Sequence, residues 1–157
     1  MKIVAVIIAL LCGIAVLAGI FLPWGGASGS ILGFFNISYS VTGFDVINSS
    51  HWDLITRAVL SDNIHAVMVL IGAAIMIVCA LPALFLSMSS GGGKAAVTPF
   101  GILISLGAAV AIGGLVWFFI DMSSVENWTD YVGYGTYICG GGAVLGLIFG
   151  ALAAAKK

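Results

Sequence analysis

The sequence predicts an all-α membrane protein: a bundle of four transmembrane helices with a long exterior loop that carries a small β-hairpin and a short interfacial helix. Three observations predict it. The 157 residues are 62% hydrophobic and 7% charged, with a mean hydropathy of +1.24, whereas a water-soluble domain is about half apolar and about a quarter charged. Four apolar segments, roughly 3–22, 64–88, 99–120 and 134–154, each reach the ~20 residues that cross ~30 Å of hydrocarbon at ~1.5 Å per residue. None of the four contains an Asp, Glu, Lys or Arg. Backbone polar groups find no water in hydrocarbon, so such segments must be helical. The chain is therefore one membrane domain spanning 1–157, with exterior loops 23–63 and 121–133 and a cytoplasmic loop 89–98. A net charge of −1 without clustered Lys and Arg excludes a nucleic-acid footprint.

The first segment follows Lys2, and Gly25 and Ala27 stand where small residues precede a signal cleavage site. Its apolar run exceeds the ~7–15 residues of a signal core, so it is expected to remain as a helix. Ala5, Ala9 and Gly13 recur every fourth residue along it.

The long loop opens with Gly25, Gly26 and Gly29, which predict a flexible start. Phe35, Ile37, Tyr39 and Val41 then alternate with Asn36, Ser38, Ser40 and Thr42. A period of two predicts a half-buried strand. Gly43 breaks it, and Phe44–Ile47 is expected to form a second short strand of the hairpin. An isolated hairpin is marginal in water, so its apolar face needs the helix ends, the short exterior loop or a neighbouring subunit. Ser50 and Asp53 resemble a capping box with Asp in place of Glu or Gln. Trp52, Ile55 and Val59 share a helical face, and Asp53 and Arg57 stand four apart. These features predict an interfacial helix that stops near Ser61-Asp62-Asn63.

In the second membrane segment Pro82 should kink the helix by freeing the carbonyl of Val78. Thr98-Pro99 reads as an N-cap followed by proline at the first helical position of the third. The fourth carries Gly142, Gly146, Gly150 and Ala154 every fourth residue, and Gly140-Gly141-Gly142 weakens helicity. Small residues at this spacing let two helix backbones touch, either within one bundle or between two copies.

Four helices put both termini on one side. Lys2, Lys94, Lys156 and Lys157 share it, and Arg57 stands opposite. The excess of positive charge predicts a plasma-membrane protein with cytoplasmic N- and C-termini. Asp45, Asp53, Asp62, Asp121, Glu126 and Asp130 all fall in the exterior loops and make that face acidic. Trp24, Trp117, Tyr134 and Tyr137 sit at exterior helix ends, where amphipathic rings favour the headgroup layer. Three exterior Asn begin N-x-Ser/Thr sequons: Asn36, Asn48 and Asn127. A sequon marks a potential glycan in an exported segment. Asn48 reads best, because Asn36 falls in a strand and Asn127 close to the membrane.

The absence of charge from the four segments speaks against proton relays and intramembrane catalysis, which use buried ionisable groups. His65 falls at the exterior boundary and reads as structural. His51, Trp52 and Asp53 match no metal spacing. Cys12, Cys79 and Cys139 lie singly within helices, so no exterior disulfide framework is expected. No cofactor is implied.

"FLPWGG" after the first helix, "TGFDV" in the long loop and "GYGTYICGGGAVLG" entering the fourth helix resemble small uncharacterised four-helix membrane proteins of archaea and bacteria. That resemblance implies no catalytic residue. The layout is also similar to that of claudins, whose long first exterior loop carries strands, although the exterior cysteine pair and the Trp-Gly-Leu-Trp pattern of that family are absent.

The expected function is non-enzymatic: a structural, assembly or accessory membrane protein that forms homo-oligomers or joins a larger membrane assembly. Phe35, Ile37, Tyr39, Val41, Trp52 and Trp128 are the expected exterior contacts. The alternative is a small channel or transporter subunit whose pore forms between protomers. It would need a polar helical stripe, for which the sequence offers little beyond Ser105 and Thr136.

Overall fold

The computed structural model describes residues 2–31, 35–48, 64–88, 93–124, 126–127, 129 and 132–155. In order, the chain forms α1 (Lys2–Ile20), β1 (Pro23–Ile31), β2 (Phe35–Thr42), α2 (Gly43–Asn48), α3 (Ile64–Met88), α4 (Gly93–Met122) and α5 (Tyr134–Ala154). It is mostly helical, and four helices are long and apolar enough to cross a membrane: Lys2–Ile20, Ile64–Met88, Val97–Met122 and Tyr134–Ala154. A two-stranded antiparallel sheet completes it.

The four long helices run alternately up and down around a square. α1 packs on α3 and α5, α4 packs on the same two, and the diagonals barely meet. Three layers of buried side chains fill the centre. At the hairpin end lie Val16, Ile20, Trp24, Leu115 and Phe118 with several alanines. Ala9, Cys12, Met76 and Ile104 form the middle layer. Ala5, Val6, Ala83, Val97 and Ala153 form the layer at the end that holds both termini.

Glycines set how closely the helices approach. A Cβ on Gly72 would lie 2.5 Å from Gly107 O, and one on Gly107 would lie 2.9 Å from Gly72 O, so α3 and α4 touch backbone to backbone. The spaced small residues of α1 and α5 pack closely against neighbouring helices of the same chain. Ala5 and Ala9 are buried, and a Cβ on Gly13 would meet Ile77 Cγ1 at 3.0 Å. On α5, a Cβ on Gly142 would meet Val16 Cγ2 at 2.9 Å, one on Gly146 would strike Met76 Cε, and one on Gly150 would lie 2.6 Å from Ser105 Oγ. Of the two readings of the Gly142 face, the chain uses the one within its own bundle. α5 also runs unbroken through Gly140-Gly141-Gly142.

Three sequence expectations are corrected. The third long helix begins at Gly93, so the loop read as 89–98 is shorter and Pro99 lies inside the helix instead of opening it. At this interior position Pro99 has no N–H to give the carbonyl of residue 95 and its ring crowds that carbonyl, so the first two turns are held by fewer bonds than the rest of the helix. The hairpin partner of Phe35–Thr42 is not Phe44–Ile47 but the glycine-rich Pro23–Ile31, paired from Pro23↔Thr42 to Ile31↔Phe35. Residues 44–47 belong to α2 instead. The expected helix over 50–60, with Trp52 and Arg57, lies outside the described residues, as do Trp128 and Asp130.

Candidate functional site

The hairpin is fastened to one end of the bundle, and the fastening begins where α1 stops. Phe21 N–H donates to Ala18 O at 3.0 Å and Leu22 N–H to Gly19 O at 3.2 Å, a tightened last turn that releases the chain into Pro23. The ladder register slips between Pro23↔Thr42 and Gly25↔Val41. Trp24 is thus the extra residue of a bulge, and a bulge re-aims its side chain. Here the indole turns into the bundle. It is 1% exposed and the bulkiest of the fully buried side chains. Its Nε1–H donates to Gly19 O at 3.0 Å, which supplies the partner that a buried indole needs. Phe118 of α4 meets it edge-on at 5.3 Å. The expectation that Trp24 rests in a headgroup layer is therefore corrected. Trp117, Tyr134 and Tyr137 are exposed on the helix surface.

The second strand is tied down by α2. Asp45 Oδ2 accepts from the Thr42 backbone N–H at 3.0 Å and from the Thr42 hydroxyl at 2.8 Å, and Asp45 N–H donates back to Thr42 Oγ1 at 3.1 Å. This is a reciprocal capping box with Asp at the third helical position. The backbone and hydroxyl bonds from Thr42 hold the Asp45 carboxyl below its ordinary pKa. Gly43 opens α2 because nothing larger fits: a Cβ would lie 2.6 Å from Trp24 Cε2 and 3.0 Å from Ile20 O. Phe44 stacks on Phe21 at 5.3 Å, and Ile47 is buried.

The opposite edge of β1 is held by the segment before α5. Gly25 and Val132 form an antiparallel bridge, and Gly133 N–H donates to Trp24 O at 2.8 Å. Gly133 and Gly135 both stand against Pro23 O, where a Cβ on either would collide with backbone. One turn on, Cys139 packs on Gly19 and its Sγ–H donates to Val16 O at 3.3 Å. The three short sequence motifs therefore meet in one place. The Phe21–Gly26, Thr42–Val46 and Gly133–Gly146 stretches build the two sides of a single seat.

His65 begins the third wall. It is buried, its ring lies 5.3 Å from Phe118, and its Nδ1 stands 3.8 Å from Asp121 Oδ2 at the end of α4. Among the described residues, no three His, Cys, Asp or Glu side chains gather as a metal-ligand set. The two polar residues considered for a pore stripe face backbone. Thr136 Oγ1–H donates to Gly133 O at 2.7 Å, and Ser105 Oγ–H to Leu147 O at 3.4 Å.

The sequon asparagines lie in three different settings. Asn36 falls within the ladder opposite Ser30, and Asn48 is the last residue of α2. Asn127 is exposed and has a φ of 57°, a left-handed turn that Asn tolerates better than most residues. Of the expected contact residues, Phe35, Ile37, Tyr39 and Val41 occupy alternate positions of β2. Residue-level signals did exist for what the sequence reading missed. Thr42-x-x-Asp45 has the same Asp-type capping pattern that was read at Ser50 and Asp53.

The geometry defines a class: a helical bundle of membrane-span character with a small antiparallel sheet seated on one end. No family model matches the chain, and no curated protein and no solved structure is detectably similar to it.

Proposed function

We propose that this is a non-enzymatic multi-pass protein of the plasma membrane, with cytoplasmic termini, that presents the hairpin outside the cell as an assembly element. The carrying observation is the seating of the hairpin. Both strands are anchored at their base by the Trp24 bulge, the Thr42–Asp45 cap and the Gly25–Val132 bridge. The ladder then extends from that base to Ile31↔Phe35. A fixed strand pair whose β2 edge has no strand partner among the described residues is a template for another strand. The lysine distribution supports the orientation. In that orientation the three sequons lie on the exterior side, and Asn127 stands in an exposed turn.

The partner in this reading is a second copy of the chain or another surface protein, with the alternate residues Phe35, Ile37, Tyr39 and Val41 at the contact. The test is Tyr39→Asp, measured by mass in mild detergent and by cross-linking in native membranes. Wild type should associate, and the variant should dissociate while remaining inserted. A wild type that is monomeric in both measurements would overturn the assembly role. Reactivity of a cysteine at position 94 with an impermeant thiol reagent in intact cells would overturn the orientation separately.

A further inference from the structure

At the end of the bundle that holds the termini, the close contact of α4 and α5 leaves a furrow beside it. A Cβ on Gly101 would lie 2.5 Å from Ala154 N and 2.8 Å from Gly150 O, so the two backbones touch along this line. Next to it stand alanines too small to fill the space between the helices, among them Ala109 and Ala151. Ile102, Leu106 and Leu147 rise as walls, and the furrow, open to its surroundings along its length, has a volume of about 450 Å³. The one polar side chain in its lining is Ser105, whose hydroxyl donates to Leu147 O. From Leu147 to Ala155 the furrow follows about 12 Å of helix.

Its mouth is basic in sequence. The chain passes from Ala155, in the lining, directly into Lys156 and Lys157, and Lys94 stands near the start of α4. Lys2 begins α1 at the same end. In sequence, all six acids fall between Ile20 and Ile64 or between Ile120 and Tyr134. An apolar slot that opens beside cations and away from acids matches a molecule with an apolar tail and an anionic head. Two copies docked here would bring their lysines together.

We propose that the furrow holds one acyl chain of an anionic phospholipid, with its phosphate at the lysine-bearing mouth. Basic sites between helices at a membrane surface recognise such headgroups. This rests on the membrane residence of the bundle and is independent of the hairpin's role. Membrane residence is checked first, by retention in membranes through an alkaline carbonate wash; release of the protein would remove both readings.

The full chain in mild detergent is then titrated with dioleoyl phosphatidylglycerol or dioleoyl phosphatidylcholine and weighed by native mass spectrometry. One phosphatidylglycerol should bind, preferred about tenfold over phosphatidylcholine. Ala151→Leu, at an exposed position, should abolish that adduct and leave the unfolding midpoint unchanged. Replacing Lys156 and Lys157 by Gln should keep the adduct and erase the headgroup preference. Equal binding of both lipids to wild type would overturn the anionic assignment. Adducts that survive Ala151→Leu would overturn the site. A dimer that Ala151→Leu dissolves would assign the furrow to a second copy instead.

Discussion

The two ends of the bundle are built by different means. At the hairpin end, large rings with polar handles fill the centre: Trp24 bonded to Gly19, Phe118 against it, and His65 beside Asp121. Strand, cap and bridge contacts then close it. At the terminus end, the buried layer is Ala5, Val6, Ala83, Val97 and Ala153, and glycine contacts such as Gly101 on Ala154 bring the backbones together. The difference teaches what each end must do. Helices of membrane-span character would gain little in hydrocarbon from burying apolar surface, and close packing of small residues is what can hold such helices together. An end that also carries a sheet needs directional contacts, because the sheet has to keep one orientation.

The strongest challenge to this contrast is Trp24→Ala. Truncating a buried Trp costs about 3–5 kcal/mol, and here the Gly19 bond and the bulge's purpose go with it. Chemical unfolding in detergent, followed by circular dichroism, should show that loss together with faster proteolysis within 23–42. A loss below about 1 kcal/mol would mean that the hairpin end is not a packed core.

A pair of glycine substitutions sharpens the contrast at smaller cost. Gly43→Ala drives a methyl into the Trp24 ring, and Gly101→Ala drives one into the backbone of α5. Each should destabilise by about 1–3 kcal/mol. Gly43→Ala should expose the hairpin to protease, whereas Gly101→Ala should leave it protected. Equal hairpin exposure in both would erase the distinction between the ends.

The smallest effect is at the cap. Thr42→Val keeps the shape, loses the hydroxyl bonds and should cost about 0.5–2 kcal/mol. The Asp45 carboxyl is held below its ordinary value of 3.8 by Thr42. Its contribution is therefore full above that pH and is lost as pH falls through the lower folded value. Protease protection of the hairpin should persist to pH 3.8 and decline only below it, with the decline beginning at higher pH in Thr42→Val. A wild-type decline centred above pH 3.8 would contradict the cap.

The two long helices Ile64–Met88 and Tyr134–Ala154 were legible to the residue, because polar stretches bound their apolar runs. The start of α4 was not. Gly-Gly-Gly-Lys ahead of Thr98-Pro99 resembles a loop with a cap, and only the helix's continuation shows that Pro99 sits within it. Strand β2 was legible from its alternation. Its partner was hidden because Gly25, Gly26 and Gly29 have no strand preference, and pairing with β2 is what holds them extended. The seat itself was legible only as three unconnected motifs. Contacts such as Trp24–Phe118 and Gly133–Trp24 join residues far apart in sequence, and no local pattern reports them.

That separation has a consequence for how the protein is made. The bulge at Trp24 leaves the ribosome well before Val132, Gly133 and Cys139, which close its far side. Contacts between distant residues cannot form before the later residues exist, and closing the intervening loop adds an entropic cost. The hairpin can therefore be drawn and still lack part of its fastening until the segment that opens α5 arrives. Its firm seating waits for the residues that open the fourth long helix, and a chain halted before Val132 would carry its hairpin half-fastened.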